Sequence, residues 1–98
     1  MYKIKYKPKA QKFIEGQSPK IKRQLIKKIE DLQKDPRPPG STLLDSEKNI
    51  YRIRTGNYRI IYQVQDKVLL VIIAKVGDRK AIYRNLDYLI KVFETEIS

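Results

Sequence analysis

Tyr51-Arg-Ile-Arg-Thr-Gly-Asn-Tyr-Arg-Ile-Ile-Tyr62 is the stretch that decides the fold of this chain. Gly56-Asn57 separates two runs rich in β-branched and aromatic residues, the pattern of a hairpin closed by a two-residue turn. Such a turn fixes the register: Thr55 faces Tyr58, Arg54 faces Arg59, Ile53 faces Ile60 and Tyr51 faces Tyr62. Side chains along a strand alternate between the two faces of a sheet. Tyr51, Ile53, Ile60 and Tyr62 therefore form a core face, and the opposite face carries Arg52, Arg54 and Arg59. Like charges directly across a ladder repel each other. Either these arginines are ordinary solvent-facing residues, or an anion normally sits between them.

Downstream, Asp66-Lys67 reads as a second two-residue turn, leading into a strand Val68–Val76. Residues 68–74 are apolar on both faces, which predicts a central strand covered on two sides. This register sets Ala74 beside Arg59, where a small residue would leave a depression for phosphate. Arg79 lies just past the strand end in Gly77-Asp78-Arg79-Lys80, and Tyr83 comes four residues later. A final helix is expected over about residues 85–96, with Leu86, Leu89, Ile90, Phe93 and Ile97 on one stripe. That stripe suits packing against the sheet, with a partner-docking surface as the alternative.

Upstream, Met1–Lys7 alternates Tyr2, Ile4 and Tyr6 with Lys3, Lys5 and Lys7, the mark of an edge strand. Pro8 opens a short helix that Gly16 closes. Ser18-Pro19 is an N-cap followed by proline at the first helical position. Ile21, Leu25, Ile29 and Leu32 follow at helical spacing beside Ile26, so this second helix should run to about Lys34. The two helices are expected to pair as a hairpin with Lys20, Lys22, Arg23, Lys27 and Lys28 on its outside, either as a solvated face or as a contact surface for a polyanion. Pro36-Arg37-Pro38-Pro39-Gly40 then breaks the chain, because prolines so dense continue neither helix nor sheet. Neither side of the break could bury a core alone, so a single domain over 1–98 is expected.

The fold class that follows is α+β: a small antiparallel sheet, made of an N-terminal edge strand and a three-strand meander, packed on a helical hairpin, with a C-terminal helix. Charge is the strongest global signal. Twenty-two Lys and Arg stand against eleven Asp and Glu, a net +11. In a chain of 98 residues this points to a polyanionic partner, nucleic acid or an acidic protein. The chain has no cysteine and no histidine, which excludes disulfides, thiolate chemistry and the usual general base. No cofactor and no metal is expected, since Asp78 is isolated and Asp66 is a turn residue. The N-terminus has no signal-peptide pattern and no apolar run is long enough for a membrane span, so a cytoplasmic protein without a membrane partner is expected.

The segment Tyr51–Tyr62, the apolar strand after it, then Val76-Gly-Asp-Arg79 and Ile82-Tyr83-Arg84, closely resemble the RelE/ParE toxins. The resemblance extends over nearly the whole chain. It implies a toxin paired with a cognate acidic antitoxin, meeting operator DNA only through the antitoxin complex. RelE-like members cut messenger RNA in the ribosomal decoding site; ParE-like members inhibit DNA gyrase and are not nucleases. Arg52, Arg54, Arg59, Arg79 and Tyr83 match the basic and tyrosine positions of the nuclease branch, which favours an endoribonuclease that acts on the ribosome by 2′-OH attack. In that reading Arg54, Arg59, Arg79 and Tyr83 carry the chemistry, and Arg52, Lys27, Lys28, Lys75 and Lys80 hold the RNA. A gyrase inhibitor is the alternative, and a degenerate member that binds only antitoxin and operator DNA is a third.

Overall fold

A computed structural model describes residues 1–82. Strand β1 (Lys3–Tyr6) leads into helices α1 (Pro8–Glu15) and α2 (Pro19–Asp31), then strands β2 (Thr42–Asp45), β3 (Ile50–Thr55), β4 (Tyr58–Gln65) and β5 (Leu70–Asp78). The strands form one sheet in the order β1-β5-β4-β3-β2. β1 is an edge strand, as its lysines suggest, and runs parallel to β5; the helices in the crossover make that pairing possible. The remaining pairs are antiparallel. The expected C-terminal helix and its stripe fall outside the described residues.

Both helix starts follow their local chemistry. Pro8 and Pro19 occupy first-turn positions, and the Ser18 hydroxyl accepts a hydrogen bond from the Ile21 N–H. α1 ends at Gly16 as expected. α2 ends at Asp31 rather than near Lys34: Leu32, Gln33 and Lys34 turn back with tighter bonds to the carbonyls three residues earlier. Leu25, Ile29 and Leu32 are fully buried against the sheet.

The core lies on both faces of the sheet. On the helix side, Ile53, Ile60, Tyr62, Val64, Val71, Ile73 and Val76 pack with Ala10, Ile14, Leu25, Ile29 and Leu32. The face predicted to be core from the hairpin register is therefore core. On the other face Ile50, Ile61, Ala74 and Ile82 form a second buried cluster beside the arginines, so β5 is covered on both sides as its apolar run predicts.

The sheet departs from the expected pattern in three places. β2 was not anticipated: it pairs with β3 and forms the second edge of the sheet. The β4–β5 connection is also longer than two residues. Asp66–Val68 form a 3-10 turn and Leu69 takes a left-handed conformation (φ 51°), so β5 begins at Leu70, not Val68. Val68 and Leu69 are consequently exposed rather than central.

A bulge in β5 moves the register again. Tyr62 pairs with Ile73 while Ile61 pairs with Lys75, leaving Ala74 as the extra residue. Ala74 and Lys75 then share one face, as bulged residues do. This resets the alternation so that Val76 returns to the helix-side core. Gly77, not Ala74, lies opposite Arg59.

Arg37, within the proline-rich break, ties that loop to the sheet. Its guanidinium donates to both Asp66 carboxylate oxygens at 3.0 and 2.8 Å and, through Nε, to the Tyr51 hydroxyl at 2.7 Å. The Tyr2 hydroxyl donates to the same carboxylate at 2.6 Å. Tyr51 stacks on Tyr62, whose hydroxyl donates to the Pro36 carbonyl at 2.7 Å. Arg37, with the Tyr2 hydroxyl, holds the Asp66 carboxyl well below its usual range, at about 2, while burial raises the Tyr62 phenol. The break was legible only as an interruption; its role as an anchored loop comes from these contacts.

Candidate functional site

The β3–β4 turn has the register its sequence implies: Arg54 pairs with Arg59 and Thr55 with Tyr58. Gly56 takes φ 59°, which the turn requires and which glycine adopts without steric cost. Gln24 of α2 braces this turn, its side-chain amide donating to the Thr55 hydroxyl at 3.2 Å. Phe13 and Tyr58 meet edge to face on the helix side, with ring centroids 6.1 Å apart. The hairpin tip is thus held from behind while its arginine face stays open.

Two adjacent cross-strand rows make up that face. One runs Arg54, Arg59, Gly77; the other runs Thr42, Arg52, Ile61, Lys75. Arg52 reaches the Thr42 hydroxyl at 3.3 Å, so the unanticipated β2 helps orient it. Arg59 folds over the turn and donates to the Tyr58 and Gly56 carbonyls at 3.1 and 3.4 Å. Those carbonyls engage one guanidinium nitrogen, leaving further N–H groups for an anion. Arg54 is exposed and has no carboxylate partner among the described residues.

A cleft of about 290 Å³ lies over these rows, lined by Lys28, Pro39, Gly40, Arg52, Ile53, Arg54 and Arg59. Four of its seven lining residues are cationic and none is acidic, so its chemistry is that of an anion site. Four elements build it: β3 and β4 supply the arginines, α2 supplies Lys28, and the anchored loop supplies Pro39 and Gly40. The sequence signalled the cations. Pro39 and Gly40 could not be foreseen as a wall, because residues of a loop reach the sheet only through tertiary contacts.

Arg79 and Lys80 sit at the far end of β5 in a tight turn. The Arg79 N–H donates to the Asn57 carbonyl at 3.0 Å, tying this turn to the hairpin tip that carries Arg59. Asp78 Oδ1 accepts from the Lys80 and Ala81 N–H groups at 2.9 and 2.7 Å, which gives this aspartate a structural task. Lys75 lies on the arginine face two strands from Arg52, and Lys27 lies on α2 next to Lys28. The structure thus brings Arg52, Arg54, Arg59 and Lys28 together and sets Arg79 at the same end of the hairpin. Tyr83 lies outside the described residues. Among those residues, no cluster of three or more potential metal-ligating side chains occurs, and no helix is long and apolar enough to cross a membrane.

Comparison with known proteins gives this geometry a family. The family model for the ParE toxin of type II toxin–antitoxin systems matches residues 4–83. No curated protein sequence matches the chain. Among solved structures, an arginine-to-alanine double variant of the E. coli toxin RelE in the free state is 26% identical, with a TM-score of 0.75 over 93% of this chain and 96% of that one. RelE of the intact E. coli RelBE toxin–antitoxin complex is 28% identical, with a TM-score of 0.68 over 80% and 96%. The archaeal RelE–RelB complex from Pyrococcus horikoshii matches at 24% identity and a TM-score of 0.71 over 82% and 97%, a likeness of fold. The chain belongs to the ParE toxin family of type II toxin–antitoxin systems and, within the RelE/ParE superfamily, has a RelE-like structure.

Proposed function

We propose that this toxin is a metal-independent endoribonuclease that cuts messenger RNA in the ribosomal decoding site. The observation that carries the reading is the Arg54–Arg59 pair, opposed across one ladder at the floor of a cationic cleft. An opposed like-charged pair costs stability unless an anion bridges it. A phosphodiester fits that place.

In the reaction, the 2′-oxygen attacks the adjacent phosphorus as the bond to the 5′-oxygen breaks. The 2′-OH proton is lost, the 5′-oxygen gains one, and the products are a 2′,3′-cyclic phosphate and a 5′-OH end. Arg54 and Arg59 stabilise the charge growing on the phosphate oxygens, Arg79 serves the leaving oxygen, and Arg52 positions the backbone. Tyr83 stacks on a base or takes the 2′-OH proton. Arginine stays protonated and is a poor base, so orientation of the message by the ribosome supplies much of the rate. Lys27 and Lys28 on α2, Lys75 on β5 and Lys80 in the turn after β5 hold the RNA. The partner that silences the toxin is an acidic, amphipathic antitoxin, and operator DNA is met only through that complex.

The experiment is induced expression followed by mapping of message ends, with purified toxin assayed on naked and ribosome-bound message. Messages truncated at codon boundaries and poor cutting of naked RNA are expected. Efficient, unselective cutting of naked RNA overturns ribosome dependence. Because the family model is that of ParE, gyrase inhibition is the second reading. A DNA-damage response with stabilised gyrase–DNA breaks and intact messages would establish it instead.

A further inference from the structure

The basic residues of α2 do not form one undivided face. Lys22 lines a groove with Tyr6, Ile14 and Ile26 on the side of α1 and β1. Lys28 lines the arginine cleft. Arg23 and Lys27 line a third, shallower groove of about 370 Å³, together with Gln24, Lys28, Asp31 and Thr55.

Lys28 belongs to both the arginine cleft and this third groove, and Thr55 of the groove is the chain neighbour of Arg54 in the cleft. The two depressions therefore form one track across the β3 end of the sheet and onto α2. Arg23, Lys27 and Lys28 have no carboxylate partner among the described residues. Asp31 is the single acidic residue in the track. Arg23 and Lys27 are one helical turn apart, about 6 Å along the axis, on the scale of one phosphate step in an extended single strand.

Resting on the nuclease reading above, we infer that α2 carries the exit path of the substrate: a single-stranded RNA segment continuing from the scissile phosphate passes over Lys28 and lays successive phosphates against Lys27 and Arg23. Gln24, held by its bond to Thr55, forms the floor and gives the track no charge preference of its own. The occupant is RNA in single-stranded form because the track is cationic and continues from a cleft that, on the nuclease reading, holds a single-stranded message.

The test uses a labelled single-stranded RNA of roughly a dozen nucleotides, a length within the usual range for such binding sites. Its affinity is measured across a salt series for the parent toxin, the Arg23→Ala/Lys27→Ala double variant and Arg54→Ala. Each phosphate contact on a single strand contributes about 0.7 to the slope of log K against log salt. The double variant is expected to lower the slope by about 1.4, twice that value, and Arg54→Ala to lower it separately. A slope changed by Arg54→Ala but not by the double variant overturns the α2 track and leaves the nuclease reading intact. A slope changed by neither overturns the track, and cleavage of ribosome-bound message by Arg54→Ala, measured in parallel, decides the nuclease reading separately. A duplex RNA that competes as well as the single strand overturns the single-strand assignment. Melting curves of the variants, whose altered side chains are on the surface, confirm that each is folded.

Discussion

Arg59 of β4 lies directly opposite Gly77 of β5, in a register created by a four-residue connection and a bulge at Ala74. On its other side Arg59 faces Arg54. The guanidinium pair is thus flanked by a residue with no side chain, but the depression expected beside Arg59 is not open there: Gly77 is buried, and Ile82 packs over it. A Cβ on Gly77 would meet Ile82 alone, at ordinary contact distances: Cδ1 at 3.5 Å, Cα at 3.8 Å and the backbone nitrogen at 3.9 Å.

Arg59→Leu is expected to lower message cleavage by roughly 10²–10³, the loss that follows removal of one preorganised transition-state donor. Its melting temperature should stay level or rise, because an opposed like-charged pair costs a few tenths to about 1 kcal/mol. Tyr62→Ala, on the helix-side face, should lower stability by roughly 3–5 kcal/mol through a core cavity, with the bond to the Pro36 carbonyl lost as well. Melting and cleavage measured together check the assignment. A large stability loss in Arg59→Leu with none in Tyr62→Ala would reverse the two faces.

Gly56→Ala should destabilise the hairpin by about 1–2 kcal/mol, the cost of a left-handed conformation for a residue with a Cβ. The new Cβ would also lie 2.7 Å from the Gln24 amide nitrogen. That nitrogen is the end of a flexible side chain, so the clash is a minor part of the cost. Adding Gln24→Ala should therefore recover no more than about 0.5 kcal/mol in a double-mutant cycle. Gly56→Asn should cost less than Gly56→Ala, since asparagine enters this conformation more readily. Urea midpoints of the five proteins (the parent, Gly56→Ala, Gln24→Ala, their double variant and Gly56→Asn) decide it.

The Asp66 carboxyl is depressed to about 2 by Arg37 and Tyr2. A depressed carboxylate contributes stability that is fully present above its unfolded pKa of about 3.9 and is lost as pH falls toward the folded value. The parent should accordingly lose stability between about pH 4 and pH 2, and Asp66→Asn should lose less over that window. At neutral pH the substitution should cost no more than about 1 kcal/mol, because the ion pair is solvent-exposed. Thermal melts at a series of acid pH values test this, and equal acid slopes for the two proteins would remove Asp66 from the account.

Association with an acidic antitoxin peptide should slow as salt rises from low to physiological levels, because screening weakens steering by a surface of net charge +11. Dissociation should change much less. Stopped-flow association rates at several salt concentrations provide the measurement, and a flat dependence would show that the charge is not used to recruit this partner.

The sequence by itself determined the elements whose signals are local. Gly56-Asn57 set the β3–β4 register and with it the Arg54–Arg59 pair; Pro8, Gly16 and Ser18-Pro19 set the helix ends; the alternation of residues 1–7 set an edge strand. A tight turn and a cap are each specified by a few adjacent residues, so nothing distant can easily overrule them. Tertiary structure decided the rest. Thr42–Asp45 becomes a strand because β3 offers it a free edge, and its own pattern is too short to announce it. The bulge at Ala74 exists because Val76 must reach the helix-side core, a demand visible only once α1 and α2 are packed there. Pro39 and Gly40 become a cleft wall because Arg37 finds Asp66 across 29 positions of chain. Each depends on contacts between residues far apart in sequence, and no local pattern encodes those.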